Sequence, residues 1–192
     1  MVREFSRGVY GAWRFACFDR RAMAWFDRSP SGVWRSFRAA FLTYPAFLAM
    51  VALAAPPDAW SRSGPLFILL IHSLGFVILL AGYPLIVLRF CRWLGREAQA
   101  LDFIIAFNWS QILQTLLFLS VMVIDASGLL PEAMVALILL AASLASLAYE
   151  YFIARVTLDA GIAAACAMVL IEQLLSILVT MGAENLYRVP AA

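Results

Sequence analysis

The stretch FIIAFNWSQILQTLLFLSVMVI, Phe103 to Ile124, decides the fold class. It is long enough to cross the hydrocarbon core of a bilayer as a helix, which takes about 20 residues. Yet its first half carries Asn108, Trp109, Ser110, Gln111, Gln114 and Thr115. Each unpaired polar group in hydrocarbon costs several kcal/mol, so a helix with this many amides is not expected to face lipid all round. Asn108, Gln111 and Thr115 share a face by their i, i+3, i+7 spacing, with Gln114 on its flank. That polar edge is expected to turn toward other helices, and the chain must supply them.

It does. Of its 192 residues 65% are hydrophobic and 14% charged, with a mean hydropathy of +0.90. A soluble domain is nearer half apolar and a quarter charged. Apolar blocks of spanning length predict membrane helices over about 37–55, 65–88, 103–124, 133–156 and 160–181. The expected fold is therefore all-α: a polytopic five-helix transmembrane bundle over 31–181, preceded by a cytoplasmic segment, 1–30, and followed by a short polar outer tail, 182–192. Pro45 inside the first span is expected to kink it, and Pro56-Pro57-Asp58 to end it. A charged loop carrying Arg89, Arg92, Arg96, Glu97 and Asp102 joins the second span to the third, and Asp125-Ala126-Ser127-Gly128 closes the third.

Residues 1–30 lack the compact apolar core of a signal peptide. On a helical wheel Arg3, Arg7, Arg14 and Arg21 share one face, opposite Phe5, Val9, Ala12, Trp13 and Ala16. This predicts an interfacial amphipathic helix, with Arg3, Arg7, Arg14, Arg21, Phe5 and Trp13 as its membrane-surface contacts and a break at Phe18-Asp19. In Ser29-Pro30-Ser31-Gly32 a turn is expected, with Ser29 or Ser31 capping the helix that follows.

Five spans place the two ends on opposite sides. With the N-terminus inside, the inner segments hold twelve of the fourteen basic residues, all arginine, and the outer segments only Arg62 and Arg188. The positive-inside rule then predicts a cytoplasmic N-terminus, a periplasmic C-terminus and location in a bacterial inner membrane.

Counting helical rise from the inner ends gives the polar residues a depth. Tyr83-Pro84, Asn108, Gln111, Tyr149 and Glu150 fall in one layer of the inner leaflet; Gln114 and Glu172 fall near the midplane in a second. His72 has no evident partner at its level. Two uses are open for the cluster Asn108, Gln111, Gln114, Glu150, Glu172, Tyr83 and Tyr149. Such groups cross-link helices in membrane bundles, or they line a polar pocket or pathway. Glu172, set among Leu170, Ile171, Leu174 and Leu175, is expected to be protonated or hydrogen-bonded.

No phosphate-binding glycine loop, HExxH, CxxC or GxSxG occurs, and Cys17, Cys91 and Cys166 are expected to be free thiols packed as small hydrophobes. The reading is non-enzymatic, with no metal and no cofactor. The interleaving of arginines with aromatics suits a lipid surface better than nucleic acid. The expected partners are the lipid bilayer and another membrane or cytoplasmic protein.

Five spans, a cytoplasmic N-terminal segment, 1–30, and a short outer C-terminus, with Gly82-Tyr83-Pro84 on the second span and Phe107-Asn108-Trp109-Ser110 on the third, resemble the Yip-type family. These are five-span Rab-interacting membrane proteins with bacterial relatives. The chain resembles still more a group of alphaproteobacterial membrane proteins whose third span opens Asn-Trp-Ser-Gln. The resemblance implies the fold and the orientation. It implies no trafficking role, because the N-terminal segment lacks the Asp-Leu-Tyr-Gly-Pro-like motif linked to GTPases, and it brings no catalytic residues. Two functions are expected from all this. In the first, the arginine- and aromatic-rich N-terminal segment organises lipid or a protein partner. In the alternative, a small transporter or channel-like protein uses Glu172, Glu150 and the amides of the third span.

Overall fold

The computed structural model describes residues 2–159 and 161–188, the side chains of Val2, Arg3 and Arg188 excepted. The described residues form helices and no strand: α1 (Val2–Ala16), a 3-10 turn (Arg20–Trp25), α2 (Pro30–Ser36), α3 (Ala39–Ala54), α4 (Pro57–Ser63), α5 (Pro65–Trp93), α6 (Glu97–Ala126), α7 (Glu132–Thr157) and α8 (Ile162–Arg188). Among the described residues five stretches are long and apolar enough to cross a membrane: Pro30–Ala54, which joins α2 to α3, then α5, α6, α7, and Ile162–Tyr187 in α8.

The caps follow from local chemistry. The Ser29 hydroxyl accepts from the Gly32 amide at 3.1 Å, and Pro30 sits where a helix has no use for its missing N–H. Pro56-Pro57 ends α3 after Ala54 as expected, then starts the short α4 with Pro57 in its first turn. Helices α3 and α5 run through Pro45 and Pro84.

Two boundaries differ from the sequence reading. The expected loop at 89–102 shrinks to residues 94–96, with Gly95 at φ 67 making the turn. Arg89 and Arg92 are still helical, because arginine sustains a helix after the apolar stretch has ended. Arg92 Nε meets Glu97 Oε1 across the turn at 3.0 Å. The expected outer tail is also wrong in part: residues 182–188 continue α8, with Ala183 and Tyr187 buried, and residues 189–192 lie outside the description.

The spans close a ring. Helix α3 packs on α6 and α5, α6 on α7, α7 on α8, and α8 on α5, and α6 also packs on α5 across the ring. Within that ring α6 is the interior helix: 56% of its spanning window is buried, against 11–22% in the other four. The polar third span is thus wrapped by its neighbours, while Leu70, Leu137, Leu144, Leu174 and Leu178 point outward. One end gathers the arginines. Arg96 Nη1 donates to the Asp159 carbonyl at 2.6 Å, tying the α5–α6 turn to the end of α7, and Arg28 joins the start of α6 there.

Helix α1 is docked on this end. It buries Gly8, Gly11, Ala12 and Phe15 against α6, α7 and the 3-10 turn. A Cβ at Gly8 would overlap the Trp109 indole, so only glycine permits this approach. The Tyr149 hydroxyl donates to the Ala12 carbonyl at 2.8 Å, and Glu4 lies 2.5 Å from Arg35 Nε. The sequence wheel therefore needs correcting in two places. Phe15 and Ala12 face the bundle while Trp13 faces outward, and Arg21 lies beyond the end of α1, in the separate 3-10 turn. The break falls where expected, with Phe18 at φ 57.

Candidate functional site

The spans line a partly open cavity of about 430 Å³ at mid-bundle, and every one of the five contributes to its wall. Helix α6 presents Asn108, Gln111, Gln114 and Thr115; α7 presents Ser143, Ser146 and Glu150; α8 presents Glu172, Gln173 and Ser176. The facing wall, from α3 and α5, is mainly carbon, with Phe47, Met50, Phe76, Leu79 and Leu80. At the arginine-rich end the Tyr83 ring lies tilted against Phe107 at 4.6 Å, Phe107 stacks on Phe103 at 5.7 Å, and the Tyr83 hydroxyl donates to the Met168 carbonyl at 3.2 Å.

The polar wall is organised in pairs. Asn108 Nδ2 donates to the Ser36 hydroxyl at 2.9 Å, which anchors α6 to the break between α2 and α3. The Ser146 hydroxyl donates to Gln114 Oε1, linking α7 to α6. The centre of the site is Gln173. Its side-chain NH2 donates one hydrogen to Glu172 Oε2 at 2.6 Å and the other to Glu150 Oε2 at 3.3 Å. A single amide therefore holds the two intramembrane carboxylates together across the α7–α8 contact.

The structure brings together most of the residues singled out in the sequence. Tyr83, Asn108, Gln111, Gln114, Glu150 and Glu172 all line this one cavity. The two separate layers merge, because Gln173 spans the step between Glu150 and Glu172. Tyr149 does not join them. It is next to Glu150 in sequence, hence about 100° round the helix, and it faces α1 instead. His72 has a partner that the sequence did not offer: its Nε2 lies 3.5 Å from the Tyr187 hydroxyl, on the extension of α8.

Among the surface residues, Arg7 and Arg21 are exposed, Trp13 is 57% exposed, and Phe5 packs edge-on against Trp109 at 5.7 Å. The Arg3 side chain lies outside the described residues. Arg14 pairs with Asp19, whose carboxyl is held below the usual carboxylate range by the Arg21 backbone N–H and by the Arg14 guanidinium. Cys91 is buried, whereas Cys17 and Cys166 are exposed free thiols rather than packed ones.

Sequence reasoning gave Ser36, Ser143, Ser146 and Ser176 no part in the site, and Gln173 no role in it. A signal existed: Ser143, Ser146 and Glu150 repeat the i, i+3, i+7 pattern of Asn108, Gln111 and Thr115, and Ser176 lies four residues beyond Glu172. Among the described residues no group of three or more His, Cys, Asp and Glu side chains could hold a metal ion. No family model, no curated protein and no solved structure matches this chain.

Proposed function

We propose that this is a non-enzymatic multi-span membrane protein that binds a small molecule in the mid-bundle cavity, in the manner of a small transporter. The observation that carries this reading is the cavity itself. A bundle that needed its polar groups only as cross-links would close over them, whereas here the paired side chains still border open space. Here ten polar side chains of α6, α7 and α8 border a space of about 430 Å³, within the range of about 300–1,000 Å³ common to small-molecule sites. The Ser110 hydroxyl donates back to the Phe107 carbonyl, as a serine without catalytic setting does. The test is a thermal-shift screen of organic solutes against wild type and Ala40→Trp, which fills the cavity from α3. Solutes that stabilise wild type and leave the filled variant unmoved are expected, since a ligand stabilises only the state that binds it. A broad library yielding none would count against the reading.

A specific observation favours a second role for the N-terminal segment. Trp13, Trp34 and Trp93 are 57%, 78% and 80% exposed at the arginine-rich end, beside exposed Arg7, Arg20 and Arg21. Indoles and arginines at one level suit a headgroup region, and such a segment can organise lipid or a protein partner there. This reading takes α1 as an interfacial amphipathic helix, the arginine-rich end as cytoplasmic, the C-terminal end as periplasmic and the membrane as a bacterial inner membrane. The Yip-type resemblance belongs with it, on the five-span count and the orientation alone. Deleting 1–30 would strip a buried face from α6, so neutralising Arg7, Arg20 and Arg21 is the cleaner test. Unchanged localisation and unchanged co-purifying partners would remove this role.

A further inference from the structure

The geometry points to an amphipathic organic cation, an amine or quaternary onium compound with an apolar body, as the occupant of the cavity. This inference rests on the cavity reading above and adds the sign of the charge and the shape of the ligand.

The sign follows from the wall. Glu150 and Glu172 both border the cavity, and among the described residues neither an arginine nor the histidine does. Their link is the Gln173 amide, a neutral donor that spends both of its side-chain hydrogens on them. Two carboxyl groups that a bound cation would hold ionised, with no cationic side chain among the described residues of the wall, make a site that favours positive charge and disfavours an anion. Most of the arginines gather at one end of the bundle, behind the Tyr83–Phe107 and Phe103–Phe107 ring contacts, and Arg62 lies at the other end, on α4.

The shape follows from the opposite side. Phe47 and Phe76 pack 5.2 Å apart on the α3–α5 side, and Phe107 and Phe118 reach the cavity from α6. Aromatic faces attract cations, onium groups above all, and they give an apolar ligand body a surface that a hydrated metal ion could not use. Asn108 and Gln111 supply neutral polar contacts beside this wall.

Tetraphenylphosphonium and tetraphenylborate share a size and shape and differ in the sign of their charge, so their binding to the purified full chain in neutral detergent isolates the inference. The phosphonium is expected to bind tighter than the borate by about tenfold or more, from one charge set against two carboxylates. Glu150→Gln/Glu172→Gln is expected to remove that preference, and Ala40→Trp to remove the binding. Equal binding of the two probes, both blocked by Ala40→Trp, overturns the inference and leaves the cavity reading standing. No binding of either probe to wild type overturns both. Phosphonium binding that survives Ala40→Trp, or is unchanged in the double glutamine variant, also overturns the inference, by placing the probe elsewhere or away from the carboxylates.

Discussion

Gln173→Leu is the perturbation that asks most of the site. It removes the NH2 group that donates to Glu172 at 2.6 Å and to Glu150 at 3.3 Å, and it puts an apolar group of similar size in its place. Hydrogen bonds between membrane helices average about 0.6 kcal/mol, and bonds to charged groups reach about 1.5–3 kcal/mol. The shorter bond here is a good one and the longer is marginal, so their joint loss is expected to cost about 1–3 kcal/mol. For a chain of this length 1 kcal/mol moves the unfolding midpoint by about 2–4 °C, which makes the expected fall about 2–12 °C. The decisive comparison is with Glu150→Leu/Gln173→Leu/Glu172→Leu. Removing every partner at once leaves no orphaned carboxylate, so the triple variant should be more stable than Gln173→Leu alone. The assay is reversible unfolding in mixed micelles by a denaturing detergent, supported by thermal scans. If Gln173→Leu costs as much in the Glu150→Leu/Glu172→Leu background as in wild type, Gln173 does not act through the carboxylates and the reasoning fails.

Three further outcomes concern the N-terminal segment. Gly8→Leu drives a side chain into the Trp109 indole and should cost about 1–3 kcal/mol, read as a lower unfolding midpoint with faster proteolysis near Arg14 and Arg20; an unchanged pattern would mean that α1 is not docked on α6. Arg28 grips Asp102 with two bonds of 2.8 and 2.5 Å, and the partners differ in exposure, 63% against 11%. Arg28→Ala strands the buried partner and should cost about 2 kcal/mol, Asp102→Ala about 1 kcal/mol, since the freed arginine returns to water; the reverse order in unfolding experiments would contradict this burial. Asp19 titrates below the ordinary carboxylate value in the folded chain, so its contribution is complete above about pH 4 and is lost as pH falls through the lowered value. Proteolysis of the N-terminal segment should therefore quicken on acidification in that window in wild type and not in Asp19→Asn, and the same quickening in both would show that Asp19 is not its source.

How much of this was legible in the sequence depends on the kind of signal. The five spans were, because their apolar blocks are long and end in charge or proline. The ends of α5, α6 and α8 were not, because hydropathy reports where the membrane-like composition stops and not where the backbone leaves the helix; Arg89, Arg92, Ala183 and Tyr187 lie outside the apolar blocks and inside helices. The inward turn of α6 was readable from its amides. Depth counting placed Glu150 and Glu172 apart: they lie seven residues from the end of α7 and ten from the start of α8, about 10 and 15 Å along the axis. Side chains bridge a step of about 5 Å without difficulty, and the residue that does so, Gln173, stood beside Glu172 in the sequence. The docking of α1 was hidden for a different reason. Gly8, Gly11 and Ala12 carry almost no hydrophobic signal, yet small residues are what allow a helix to lie close on Trp109.

The measurement that tests the central claim most directly is thiol accessibility at position 146 in the native bilayer. Ser146 is buried, borders the cavity and lies well within α7, whereas Leu137 on the same helix is 67% exposed on its outward face. With the exposed Cys17 and Cys166 replaced by serine, Ser146→Cys should react with a small charged methanethiosulfonate, Leu137→Cys should not, and Ala40→Trp should suppress the reaction. A folded Ser146→Cys variant as inert as Leu137→Cys would mean that the bundle is closed, its polar side chains serving only to bind helix to helix.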